Sequence, residues 1–234
     1  MQYSTDKLGL KFSVTKFSTF TVLNMDNWTA SQQKSSAHQP YMQGYPDGTF
    51  RPDQSITRAE IAAILSRVGP GQKLNDQTVD YKDKEDFRWA TNDILKVTSD
   101  GLMTGYKDGT FGPKLFMTRA EMAAIVVRWM NLTGELSSSF PDTKDHWSAH
   151  NIALVQEAGY MKGMPDGSFG PDKLLSHAEA VTIINRILKR GPLFGSQAPA
   201  WSDVTKNYWA FHDIEEATIS HSYTNREDGG EENE

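Results

Sequence analysis

Apolar residues recur along this chain at helical spacing, and they do so three times in the same way. Ile61, Ile64, Leu65 and Val68 stand at offsets 0, 3, 4 and 7. Met122, Ile125, Val126 and Trp129 repeat those offsets, and so do Ala180, Ile183, Ile184 and Ile187. Such offsets put four side chains on one face of a helix. Each predicted helix opens on a Ser/Thr-x-x-Glu pattern: Thr57 with Glu60, Thr118 with Glu121, and Ser176 with Glu179. In that pattern the hydroxyl accepts from the backbone amide three residues on, and the glutamate reaches back, so six residues read as structural caps. A second class of helix begins at a tryptophan. Ile94 and Val97 follow Trp89 at five and eight residues, Ile152 and Val155 follow Trp147, and Ile214 follows Trp209. Gly101 and Gly159 end the first two. Equivalent stripes are buried most economically against one another. The pattern therefore predicts a mainly α fold of three helix-loop-helix repeats, in a pseudo-threefold arrangement around a central helix bundle.

The loops repeat as closely as the helices. "YPDGTFRPDQSITRAE" (Tyr45–Glu60), "YKDGTFGPKLFMTRAE" (Tyr106–Glu121) and "MPDGSFGPDKLLSHAE" (Met164–Glu179) align without gaps. Gly44, Gly105 and Gly163 precede them, 61 and 58 residues apart, and Trp28, Trp89 and Trp147 each lie 16 residues before those glycines. The repeats span 27–75, 76–137 and 138–192. In the first, Gln33 and Ser36 stand where the others have isoleucine and valine, so its first helix is degenerate. A partial fourth repeat, 193–220, is expected to supply that helix and complete the trimer, with the Trp209 helix beside the loop and second helix of repeat one. Residues 1–26 read as the remnant of a preceding β domain, because Leu10–Leu23 is rich in β-branched and aromatic residues and suits one or two short strands. Residues 221–234 end in "NREDGGEENE" and read as a disordered acidic tail.

Composition narrows the function classes. A net charge of −6, with 24 lysines and arginines spread along the 234 residues, argues against a nucleic-acid surface. The absence of cysteine excludes disulfides, thiolate zinc sites and thiol nucleophiles. No apolar run approaches the roughly 18 residues of a membrane span, and "MQYSTDKLGLKF" lacks the pattern of a signal peptide. No Gly-x-Ser-x-Gly, His-Glu-x-x-His or P-loop pattern occurs, so an enzyme is not expected. "PDGTF" fails the alternation of an EF-hand loop, and no metal or cofactor is expected.

The Asp-Gly pairs of the loops are turn chemistry, and Phe50, Phe111 and Phe169 suit anchors into a core. Arg58 and Arg119 fit neither role. They sit one residue inside a helix start, where a cation opposes the helix dipole. A fixed guanidinium beside free amides suits a carboxylate or phosphate; a plain salt bridge to a nearby carboxylate is the alternative. The third repeat has His177 there, uncharged for the most part near neutrality and lacking the fork. Its site is expected to be weak or lost, recovering in mild acid.

"GYPDGTFRPDQSITRAEIAAIL" and "GYKDGTFGPKLFMTRAEMAAIVV" resemble S-layer homology repeats. The resemblance runs from Trp28 to Leu188, with a partial unit to about Thr218. It implies a triplet folded as a monomeric pseudo-trimer with grooves between units. It also implies an extracellular, cell-wall location as part of a longer exported protein, without membrane insertion. The implied ligand is a secondary cell-wall polysaccharide, commonly carrying pyruvylated N-acetylmannosamine. Carried over by motif, the ligand-binding residues are Arg58, Arg119 and, more weakly, His177. The Asp47–Gly48, Asp108–Gly109 and Asp166–Gly167 turns join them, as do aromatic walls from Trp89, Trp147 and Trp209. These tryptophans suit a core equally well. A helical-repeat scaffold for protein–protein interaction at the cell surface is the alternative function.

Overall fold

The computed structural model describes residues 2–6, 9–13, 36–70 and 80–234, which fall into two units, Met1–Ser35 and Ser36–Glu234. In the first unit β1 (Gln2–Asp6) and β2 (Gly9–Ser13) form an antiparallel hairpin, with Gln2 opposite Ser13 and Asp6 opposite Gly9. Strand content is therefore present, but it begins earlier than the Leu10–Leu23 stretch suggested. Residues 14–35, with Trp28 and Gln33, lie outside the described residues.

The second unit is mostly helical. Its three capped helices are α1 (Arg58–Val68), α3 (Arg119–Met130) and α5 (His177–Leu188), and all three capping boxes form as expected. The tryptophan-led helices are α2 (Thr91–Ser99), α4 (Ala149–Glu157) and α6 (Phe211–Thr218), none of which has a side-chain cap. Packing couples α1 with α2, α3 with α4, and α5 with α6. Each tryptophan-led helix thus lies on the capped helix of the preceding repeat. The buried residues Ile94 and Val97, Ile152 and Val155, and Ile214 and Ala217 form the contacting faces. Among the described residues, no helix is long and apolar enough to cross a membrane.

Backbone bonds link the residues just before the capped helices in a closed cycle. The Met117 amide donates to the Ile56 carbonyl, Leu175 to Met117, and Ile56 to Leu175, at 2.8–2.9 Å. Two further amides at each helix start run in the opposite sense around the cycle: Arg58 to Leu115 and Ala59 to Pro113, Arg119 to Lys173 and Ala120 to Pro171, His177 to Gln54 and Ala178 to Pro52. These are among the amides that a helix leaves unpaired at its N-terminus. Here the neighbouring repeat satisfies them.

The loops are held by a second recurring device. Phe50, Phe111 and Phe169 are buried, and the turns before them put Gly48, Gly109 and Gly167 at φ of 79°, 87° and 83°, which a side chain disfavours. The Phe111 and Gly112 amides donate to Asp83, and those of Phe169 and Gly170 to Asp142. In repeat one the Phe50 and Arg51 amides donate to Asp203 at 2.8 Å. Asp203 therefore does for loop one what Asp83 and Asp142 do for the other two loops. Ser202 N also donates to the Gly48 carbonyl, and the Tyr208 hydroxyl to Asp53. The Trp209 helix does not follow the expectation fully. It packs on α5 rather than on the second helix of repeat one, because every tryptophan-led helix pairs backwards along the chain.

The C-terminal residues correct another expectation. Instead of a disordered tail, β5 (His221–Asn225) and β6 (Glu231–Asn233) form a hairpin, which β3 (Ser36–His38) and β4 (Leu193–Phe194) extend to a four-stranded sheet of order β3-β5-β6-β4. β3 runs antiparallel to β5, and β4 parallel to β6. Acidic composition misled because the order comes from backbone pairing, from an Arg226–Gly230 turn whose Gly230 amide donates to Asp228, and from burial of Glu231. Ser36, placed in a degenerate helix by its alignment, lies in the edge strand.

Candidate ligand-binding grooves

Where one repeat meets the next, the same residue types converge three times. One groove is lined by Arg58, Tyr106, Glu121, Arg128 and Trp147. The second is lined by Arg119, Lys162, Glu179, Arg186 and Trp209, and the third by His177, Tyr45, Glu60, Arg67 and Trp89. Their volumes are about 180, 130 and 160 Å³ in that order, so the groove with histidine is not collapsed.

The residue at each helix start bridges to the loop of the following repeat. Arg119 donates from Nε to the Phe169 carbonyl (2.8 Å), from Nη2 to the Lys162 carbonyl (2.7 Å) and from Nη1 to Glu179 (2.9 Å), with its guanidinium over the Phe169 ring. Arg58 donates to the carbonyls of Phe111 (3.0 Å) and Thr104 (2.8 Å), but its Nη1 stands 3.6 Å from Glu121. His177 closes the cycle through Nδ1 to the Arg51 carbonyl (3.0 Å), with Nε2 3.8 Å from Glu60. All three residues are buried. The salt-bridge alternative for the arginines is therefore realised at Arg119 and, at longer range, at Arg58. The amides beside them are not free, since the neighbouring repeat's carbonyls occupy them.

The acceptor in each groove is the capping-box glutamate, which thus has two tasks. Glu60 receives the Thr57 amide and hydroxyl and the Tyr45 hydroxyl. Burial pushes its carboxyl up, but the His177 ring and the Thr57 donors outweigh this and hold it at about 2. A depressed carboxylate contributes stability that is present above its unfolded value of about 4.5 and disappears as pH falls towards the folded one. Stability is expected to fall between about pH 4.5 and pH 2, and Glu60→Gln to flatten that fall; chemical denaturation across this range measures it.

The predicted turn residues lie elsewhere. Asp47, Asp108 and Asp166 accept from Thr49, Thr110 and Ser168 two residues on, and neither they nor Gly48, Gly109 and Gly167 line a groove. The tryptophans go the other way. Trp89, Trp147 and Trp209 are 65%, 64% and 61% exposed, which removes the core alternative. Large apolar rings so exposed at equivalent rims are the informative kind of surface residue.

The sequence model of the S-layer homology domain matches residues 36–62, 80–123 and 139–181. The chain belongs to the S-layer homology family. Over 203 residues it is 38% identical to the cellulosome-anchoring protein of Acetivibrio thermocellus, covering 83% of this chain and 45% of that protein. It is 40% identical over 200 residues to cell surface glycoprotein 1 of the same organism, covering 80% of this chain and 9% of that one. With S-layer protein EA1 of Bacillus anthracis it shares 31% over 132 residues, 56% of this chain and 15% of the other. The chain thus spans less than half the length of each of these relatives. The segment around Asp203 lies outside the residues that match the S-layer homology domain.

Sequence reasoning about these S-layer homology repeats missed an arginine in every groove, the second one in two of them. Arg67, Arg128 and Arg186 donate to the carbonyls of Tyr41, Leu102 and Tyr160 at 3.0–3.1 Å. Burial lowers Arg128, with the like charge of Arg58 adding to it, and burial also lowers Arg186. The signal was available, since each arginine follows its capping Thr or Ser by ten residues in all three repeats. An arginine at the same position of three equivalent helices calls for an explanation that packing does not supply.

Proposed function

We propose that this chain anchors a surface protein non-covalently to the bacterial cell wall, by binding an anionic secondary cell-wall polysaccharide. In this reading a pyruvylated amino sugar is the unit recognised, and the carrier is a monomer whose three repeats are related by pseudo-threefold symmetry. The observation that carries it is the pairing, in equivalent grooves, of two guanidinium groups with an exposed tryptophan. Guanidinium groups recognise a carboxylate, and the flat face of an indole suits a sugar ring. The closed cycle of backbone bonds supports the symmetry. Membership of the family, and relatives named for cellulosome anchoring and S-layers, support the location.

Arg58 with Arg128 and Arg119 with Arg186 form the two stronger sites. The groove of His177 keeps a single guanidinium, Arg67, and binds less tightly near neutral pH. Asp47, Asp108, Asp166 and their glycines set loop shape and make no ligand contact. Because the tryptophan rings are exposed, their removal is expected to spare stability. Trp147→Ala and Trp209→Ala are each expected to weaken retention on protein-stripped cell walls about 10- to 30-fold, as loss of an interface hot spot does, with melting temperature unchanged; Trp89→Ala is expected to do less. Loss of binding after protease treatment of the walls, with no effect of removing pyruvate, would instead establish a protein partner.

A further inference from the structure

Four residues that are distant in sequence meet where β3, α6, β5 and β6 come together. They are His38, Glu216, His221 and Glu231, and one ligand atom from each lies within 4.8 Å of all the others. Glu216, His221 and Glu231 are buried, and the His38 side chain is 16% exposed. Placing two carboxylates side by side away from water is costly unless a cation joins them. The nearest guanidinium, Arg190, stands 3.7 Å from Glu216.

The four side chains stand close enough to share one ion, and His38 Nδ1 also lies within hydrogen-bond distance of Glu216 Oε1. Four donors at about 2.0–2.2 Å from a tetrahedral zinc stand about 3.3–3.6 Å from one another. Here His38 Nδ1 is 2.7 Å from Glu216 and 3.2 Å from Glu231, while His221 Nε2 is 2.9 Å from Glu216 and 3.7 Å from Glu231. Close as they are, His221 Nε2, Glu216 Oε2 and Glu231 Oε2 have no hydrogen-bond partner. Three buried polar atoms facing one another without a bond need an explanation.

The surroundings are those of metal ligands. The other nitrogen of His221, Nδ1, lies 3.1 Å from the Ile219 carbonyl. A proton donated there leaves the Nε2 lone pair free, as in histidines that bind metals. Glu231 is oriented by the Gly191 amide at 2.9 Å. We propose that His38, Glu216, His221 and Glu231 bind one divalent transition-metal ion, of which zinc is the type that imidazole and carboxylate together favour. Spacing gives no hint of it, because the four stand at 38, 216, 221 and 231. The expectation of no metal rested on local motifs alone. The ion joins the edge strand to the C-terminal hairpin, and so ties together the two ends of the repeat unit.

Untagged protein, stripped with EDTA and titrated calorimetrically with zinc chloride, is expected to bind one ion per chain. Its melting temperature is expected to rise by roughly 5–10 °C at a hundredfold excess over the dissociation constant. His38→Ala and His221→Ala abolish both effects, whereas His150→Ala changes neither. Absence of saturable binding by the unmodified chain, or unchanged binding by both variants, would overturn the proposal. Should the variants fail to fold, cobalt added to the unmodified protein decides the matter: visible bands of a tetrahedral nitrogen/oxygen site support it, and the spectrum of hydrated cobalt alone refutes it.

Discussion

Arg119→Ala is expected to destabilise the repeat unit by about 3–5 kcal/mol, the cost of breaking a buried pair by removing one partner. Arg119 is 5% exposed, and its guanidinium connects three groups of the next repeat. Without it the Phe169 and Lys162 carbonyls lose their donor, and Glu179 keeps its cap but loses its cation. A chain of this size melts about 2–4 °C lower for each kcal/mol lost, so a fall of about 6–20 °C is expected, measured by thermal unfolding at pH 7. Arg119→Lys recovers little, because an ammonium cannot span a forked arrangement. Arg58→Ala is expected to cost less, since its contact with Glu121 is 3.6 Å rather than 2.9 Å. Equal stability of Arg119→Ala and the unmodified protein would show that the internal bonds carry no net energy.

This dual use of the arginine bears on how the site is tested. A wall-binding defect in Arg58→Ala or Arg119→Ala cannot be assigned to the ligand until the stability loss has been measured. The exposed tryptophans, and Arg128 on the far side of the groove, give cleaner variants. The arrangement also clarifies the third repeat. Histidine cannot reach two carbonyls and a carboxylate together, and His177 holds only the Arg51 carbonyl within hydrogen-bond distance. Nearby, Arg51 occupies a left-handed conformation (φ 58°) where the other repeats have Gly112 and Gly170, and its guanidinium stacks on Tyr45 and pairs with Asp47. Loop one thus differs from the others on the side that faces the altered helix.

The elements that the sequence revealed are those whose cause is local. Capping boxes, Asp-Gly turns and apolar stripes depend on residues within one helical turn, and all three copies formed where the spacing placed them. The bond between Asp203 and loop one agrees with part of what a surplus half-repeat suggested, while the Trp209 helix lies on α5 instead. What was not legible depends on partners far along the chain. Helix-start amides looked free because their acceptors, Leu115, Lys173 and Gln54, belong to other repeats. The C-terminal residues looked disordered because a ladder between β3, β5 and β6 leaves no mark in composition. In the grooves the tryptophans and helix-start cations were found by motif. Arg67, Arg128 and Arg186 lie beyond the repeated loop stretch, inside the capped helices, although their spacing is as constant as any in it.

Asp203→Ala is expected to open the unit at its point of closure. The Asp203 carboxylate accepts the amides of Phe50 and Arg51 at 2.8 Å, and no other group among the described residues is bonded to those two amides. Hydrogen bonds to a charged acceptor are worth about 1.5–3 kcal/mol each, and these two share one carboxylate, so a loss of about 2–4 kcal/mol is expected. Asp142 shows the same chemistry in repeat three. Burial pushes its carboxyl up, but the Phe169 and Gly170 amides hold it below the ordinary aspartate range. Asp83→Ala and Asp142→Ala remove equivalent bonds, but within repeats that are covalently continuous with their loops. Asp203 differs because it reaches across more than 150 residues of chain to loop one. Its loss is therefore expected to do more than lower global stability. Backbone amide exchange should accelerate in Tyr45–Pro52 and in α6 together, while α3 and α4 keep their protection. Asp203→Asn, which retains one acceptor oxygen, should fall between the two. Equal acceleration throughout the unit would mean that closure is a property of the whole core and not of this carboxylate.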